Sequence, residues 1–375
     1  MARIPDPLEL AQALVRLDTC NPPGREEEAA DLCANLLESA GFTVARHAFA
    51  PGRVSVVAEL AAPDMESCLC LSGHLDTVPI GPDTWARPPL CGEVAHGRLW
   101  GRGSADMKSG VAALVVAALR AATRGPFVKG LRVVLSAGEE NGLEGAKYLE
   151  NLPGVLGGAK AVVVCEPTGC DLLLGHKGVL WVTGEAKGRA AHGSMPEKGE
   201  NALYKACEAA LKLRGTFDGH PGHVIMGRPS ISVNIMHAGH KVNVVPDLAE
   251  IEMDVRIVPG QGRAAVVSQL SNRCQGLCEV TLRDGYPPVW TEPDNAFARL
   301  AAEVAREITG RDHPPAAATY FTDGSVLARA YPGAGVTLFG PGEPEACHST
   351  DESCPVDQID TAARFYEALA LRYLS

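Results

Sequence analysis

Between Val54 and Cys165, short apolar runs rich in valine, leucine and cysteine alternate with segments whose apolar residues recur at helical spacing. Strands that alternate with helices build an α/β sheet covered by helices, so this pattern restricts the fold more than any other feature. Residues 54–60, 68–71, 131–135 and 161–165 read as strands. Residues 109–123 and 143–150 read as helices, and 90–100 reads as a hairpin around His96-Gly97. Two helices come first. Asp6-Pro7 is an N-cap and first-turn signal ahead of Leu10, Leu14 and Leu17. A second helix over 26–40 ends at Gly41, a natural residue for a helix terminus.

The texture changes near Val179. Strands over 179–184, 230–236, 248–258 and 278–282 and helices over 201–213 and 264–272 give the order β-α-β-β-α-β. That order fits a small ferredoxin-like α+β sandwich. The earlier style then returns, with helices over 295–308 and 359–374 and a strand over 336–339. The expected architecture is one discontinuous α/β domain, residues 1–176 and 286–375, with an α+β domain inserted over 177–285.

Composition excludes several classes of function. A formal net charge of −11 argues against nucleic-acid partners, whose binding runs on clustered Lys and Arg. No stretch approaches the roughly 20 apolar residues of a membrane span. Acidic residues precede any apolar run at the N-terminus, so an export signal is not expected and a cytoplasmic location is. The 12 cysteines form no Cys-x-x-Cys pair, and several lie in strand-like runs. They read as free thiols acting as small core residues.

Three chemistry-bearing signals follow apolar runs. In Gly73-His74-Leu75-Asp76, residues two apart in extended chain face the same way, so His74 and Asp76 can point at one site. Asp76 is placed to orient a metal-ligating His74 or to raise the basicity of the site. In Gly101-Arg102-Gly103-Ser104-Ala105-Asp106, glycines permit an unusual backbone before a helix, and the Asp106 carboxylate can bridge two cations. In Gly138-Glu139-Glu140, adjacent side chains diverge, so one acid can bind metal while the other faces substrate as a free base. Glu166 ends the run Val162-Val163-Val164-Cys165, and His348 lies in a loop after Leu338-Phe339-Gly340. The carboxyl ends of strands are where open α/β sheets place their sites. Mixed histidine and carboxylate donors suit zinc, with cobalt or manganese as substitutes.

Together these motifs resemble the two-zinc family of acetylornithine deacetylase, succinyl-diaminopimelate desuccinylase, aminoacylase and glutamate carboxypeptidase. The matching stretches are Gly73 to Pro79, Gly101 to Lys108, Glu139-Glu140, Glu166-Pro167-Thr168 and His348. Gly138 departs from the pattern, since many relatives carry Asp there. The resemblance implies that His74 and Glu166 bind one zinc, Glu140 and His348 the other, and Asp106 both. A cis peptide is expected just after Asp106. It further implies Asp76 as the support of His74, and Glu139 as the general base acting on a zinc-bridging hydroxide.

The inserted domain resembles the family's lid and dimerisation domain. His192, in Gly188-Arg189-Ala190-Ala191-His192-Gly193, corresponds to a histidine that stabilises the oxyanion in a neighbouring subunit, which implies a homodimer. Asn243 and Arg256 resemble residues that grip substrate oxygen or carboxylate, and an Arg fork suits a carboxylate. The resemblance implies hydrolysis of the amide bond of an N-acyl amino acid, with a dipeptidase or carboxypeptidase as the alternative. A non-catalytic binding protein on the same scaffold would be expected to lack a ligand or the base. All are present here.

Overall fold

The computed structural model describes residues 3–375. The chain forms two compact units. One comprises the chain up to Gly175 together with Thr291–Ala316 and Thr322–Ser375; the other comprises His176–Trp290 and Ala317–Phe321. The main segment of the second unit ends at Trp290, and Ala317–Phe321 returns to it. That return has a packing reason. The Phe321 ring meets Trp181 edge-on at 5.7 Å and stacks on Tyr286 at 5.3 Å, while the Lys177 amide donates to the Ala318 carbonyl at 3.0 Å.

The first unit is built on a six-stranded sheet. Its order is Thr43–Ala50, Arg53–Leu60, Lys129–Ser136, Asp64–His74, Ala161–Val164 and Gly335–Leu338. Lys129–Ser136, Asp64–His74, Ala161–Val164 and Gly335–Leu338 run parallel, and Arg53–Leu60 is antiparallel to both its neighbours. The parallel strands read as continuous apolar runs because both faces are covered. Leu69, Leu71, Val133, Leu135 and Val162 are buried completely. The helix Ser109–Ala122 is apolar around its whole circumference and almost wholly buried, packed against Val356–Leu374 and Pro7–Val15.

Local signals mark the element ends as read. Asp6 caps the first helix by accepting from the Leu8 amide, with Glu9 closing the capping box. The second helix, Glu27–Ser39, stops where Gly41 takes φ +91°. The hairpin Glu93–Ala95 with Arg98–Trp100 turns through His96 and Gly97, both at positive φ. Among the elements not anticipated are the strand Thr43–Ala50, the helix Gly324–Ala330 and the short strands Gly175–His176, Val289–Trp290 and Ser353–Pro355.

The second unit is a four-stranded antiparallel sheet in the order Ser230–Ala238, Leu248–Ile257, Gly178–Lys187, Glu279–Tyr286. Along Leu248–Ile257 burial alternates with period two, as expected of a strand with one covered face. Leu180, Val182, Ile251, Met253 and Val255 form that covered face with Ala206, Leu213, Val266 and Leu270 of the helices Ala202–Leu213 and Arg263–Arg273. All 12 cysteines are free, and Cys33, Cys68, Cys70, Cys165 and Cys274 are core residues.

Candidate metal centre

The parallel strands end together, and the loops leaving their carboxyl ends carry the acidic and histidine side chains. His74 is the last residue of its strand, in register with Ser136. Close packing fixes this position. A Cβ on Gly73 would lie 2.5 Å from Cys165 Sγ and 3.0 Å from Val111, so no larger residue fits between the strand and the helix behind it.

Asp76 organises what surrounds it. His74 Nδ1 lies 3.0 Å from the Asp76 carbonyl oxygen and 3.5 Å from its carboxylate. The carboxylate accepts from the Glu139 amide at 2.9 Å, the Glu140 amide at 3.2 Å and Asn21 Nδ2 at 3.0 Å. One buried acid therefore orients the histidine and fixes the loop that presents both glutamates. On the other side of the ring, His74 Nε2 meets Asp106 at 3.2 Å. The second Asp106 oxygen lies 3.3 Å from His348 Nε2, which is also 3.0 Å from Glu140 Oε1. Asp106 thus faces two histidines, one per oxygen. The peptide bond after it is cis, and Gly103 ahead of it takes φ +81°.

Ligand atoms of His74, Asp106 and Glu140 lie within 4.8 Å of one another. Glu139 and Glu166 are buried beside them. Burial pushes the carboxyl groups of both glutamates well above the usual range, and neighbouring acids push them further. Burial would also raise Asp106, but its bonds to His348 and His74 hold it well below. His74 is opposed by burial yet held well above the ordinary imidazole value by Asp106 and Asp76. So many acids in one buried pocket repel each other, and divalent cations would relieve that repulsion. The imidazole and carboxylate donor set therefore fits a transition-metal pair.

His192, Asn243 and Arg256 belong to the second unit. His192 is exposed, with Nδ1 2.7 Å from Ser194 Oγ. Its segment pairs with the Asn243 segment, the Gly193 amide donating to the Asn243 carbonyl at 2.8 Å. Arg256 lies over the Phe321 ring at 5.6 Å. Its fork is engaged by Asp254, at 2.6 and 3.0 Å. The sequence gives no sign of this pair beyond two charges two residues apart.

Further residues lie around the centre without having been assigned a role in it. Asn21 ties the N-terminal loop to Asp76. Asp323, fully buried, accepts from the Ser136 hydroxyl. Glu352 receives the backbone of the Asp106 loop. Each acts across a long stretch of chain, and only the position of Glu352 four residues after His348 hints at a role. His313 is held by Thr309 and the Leu172 amide.

Four parallel strands with this donor set at their carboxyl ends and a second buried acid beside the donors define a metal-dependent hydrolase. Residues 70–372 match the Peptidase family M20/M25/M40, and the chain belongs to that family. It is 28% identical over 393 residues to the succinyl-diaminopimelate desuccinylase of Caulobacter vibrioides, covering 99% of this chain and 96% of that one. It is likewise 28% identical over 355 residues to a probable succinyl-diaminopimelate desuccinylase of Staphylococcus aureus, covering 86% of each. Among solved structures, an M20 family metallo-carboxypeptidase from Sulfolobus solfataricus superposes with a TM-score of 0.80 at 18% identity, over 98% of this chain and 99% of that one. A dinuclear metal-binding peptidase of the M20 family from Bacillus subtilis does so with a TM-score of 0.74 at 17% identity, over 98% and 97%.

Proposed function

We propose that the protein removes the acyl group from an N-acyl amino acid, with succinyl-diaminopimelate and its shorter N-acetyl counterparts as the substrate class. The observation that carries this is the Asp106 bridge between His74 and His348 with Glu140 in the same cluster and Glu139 alongside. His74 and Glu166 would hold one zinc, Glu140 and His348 a second, and Asp106 both. Bound there, zinc would polarise the amide carbonyl and lower the pKa of water to about 7.

The remaining work falls to the chain. Asp76 keeps His74 Nδ1 engaged, so Nε2 faces the centre. Glu139 takes the proton of the attacking water and returns it to the leaving nitrogen. Its burial, together with the neighbouring acids, raises its proton affinity above that of an ordinary carboxylate, the direction a proton shuttle needs. His192 donates to the developing oxyanion. Asn243 and Arg256 hold the substrate carboxylate, which must share the Arg256 fork with Asp254.

The second unit acts as the dimerisation domain of a cytoplasmic homodimer. The outer edge of Ser230–Ala238 has no further strand paired to it among the described residues. It exposes Ile235 and Met236, and the helix Ala202–Leu213 exposes Tyr204 and Leu211. An apolar edge of this length is a template for a second copy.

The test is release of free amine from N-succinyl, N-acetyl and N-formyl amino acids and from dipeptides, with and without a chelator. Chelator-sensitive release from the N-acyl compounds supports the reading. Release from dipeptides alone would replace it with a peptidase.

A further inference from the structure

Glu352 stands four residues after His348 and is 1% exposed. Its Oε1 accepts from the Ala105 amide at 2.8 Å and the Asp106 amide at 3.0 Å. Its Oε2 accepts from the Gly103 amide at 3.0 Å and Arg102 Nη1 at 2.6 Å. A carboxylate has about four lone-pair sites, so these donors fill it. Glu352 therefore has no capacity left to bind a cation or to carry a proton in the reaction.

What it can do is hold backbone. The Gly101 amide donates to the Glu352 carbonyl at 3.0 Å, and Arg102 Nη1 returns to the Ser349 carbonyl at 3.1 Å. Arg102 Nη2 also reaches the Pro79 carbonyl at 3.2 Å, in the segment that follows His74 and Asp76. The loops that present His74, Asp106 and His348 are thus tied to one buried ion pair. Charge-assisted bonds of this kind are stronger than neutral ones and fix direction. The amide of Asp106 itself is among the donors, which sets where its carboxylate leaves the chain.

We propose that Glu352 is a positioning residue that locks the Asp106 loop to the His348 loop, so that the two cation positions form together. This rests on the reading of Asp106 and His348 as metal donors. Supporting groups behind metal ligands change affinity by about 10- to 100-fold when removed.

The experiment titrates the metal-free full-length protein with Co2+, by calorimetry and visible absorption, for wild type, Glu352→Gln and Glu352→Asp. Thermal melts without metal check folding. Glu352→Gln is expected to fold and to lose at least about tenfold in affinity for both cobalt ions, with a changed d–d spectrum. Glu352→Asp keeps the charge opposite Arg102 but is too short to span both loops, and is expected to fall between. If Glu352→Gln does not fold, Glu352→Asp decides. Wild-type affinity and spectrum in a folded Glu352 variant would overturn the proposal and leave the metal centre standing. A wild-type protein that takes up no cobalt would overturn the metal reading, and the proposal with it.

Discussion

Glu139 and Glu140 are adjacent in the chain, yet their side chains go to different places. Glu140 meets His348 at 3.0 Å, within the donor cluster. Glu139 is buried beside the cluster with its amide held by Asp76. Replacing Glu139 with Ala is expected to lower kcat by about 10²- to 10⁴-fold, the usual weight of general acid–base catalysis, with metal content unchanged. Steady-state kinetics and metal analysis on one preparation check both halves. His192→Ala is expected to cost about 10²- to 10³-fold in kcat, as loss of one oxyanion donor does, again without metal loss. Metal loss in that variant would show that His192 is misassigned. Much of this centre was legible at the level of single residues, because the signals are local. Alternation puts His74 and Asp76 on one side, and adjacency separates Glu139 from Glu140. Asn21, Asp323 and Glu352 were not legible in the same way. Their partners lie 55, 187 and 246 residues or more away, and no spacing rule connects them.

At the scale of elements, the strands that read clearly are those with a strict burial pattern. Ala161–Val164 is an unbroken apolar run, and Leu248–Ile257 alternates without a break. Thr43–Ala50 has neither property. It lies at the sheet edge, largely exposed, with Arg46 bonded to Asp31 and Glu38, and it becomes a strand by pairing with Arg53–Leu60. Charge on an edge strand discourages further pairing, which is why such strands carry little hydrophobic signal. Gly324–Ala330 is a short helix that starts at Asp323, and seven residues give helical periodicity too little length to show. The opposite edge condition holds at Ser230–Ala238, where Ile235 and Met236 are exposed. Replacing both with lysine is expected to convert a dimer to a monomer in sedimentation velocity, with the circular dichroism of the subunit unchanged. An unaltered sedimentation coefficient would remove this edge from the interface.

Across the whole first unit, the fold gathers residues from 74 to 348 at one edge because parallel strands all end on the same side. The metal ions would bind the folded state and not the unfolded chain, so they add to stability. At metal concentrations of about 100 times Kd one site contributes roughly 2.7 kcal/mol. Chelation is therefore expected to lower Tm by about 5–10 °C, and added zinc or cobalt to restore it. A melt insensitive to chelator would mean that no cation binds there.

The most direct test joins chemistry to this centre. Amine release from N-succinyl-diaminopimelate and N-acetyl amino acids would be measured for the zinc-loaded wild type and for Glu139→Ala, with bound metal quantified in each. The account predicts chelator-sensitive turnover in the wild type and almost none in the variant at equal metal content. Turnover by Glu139→Ala close to that of the wild type would contradict it.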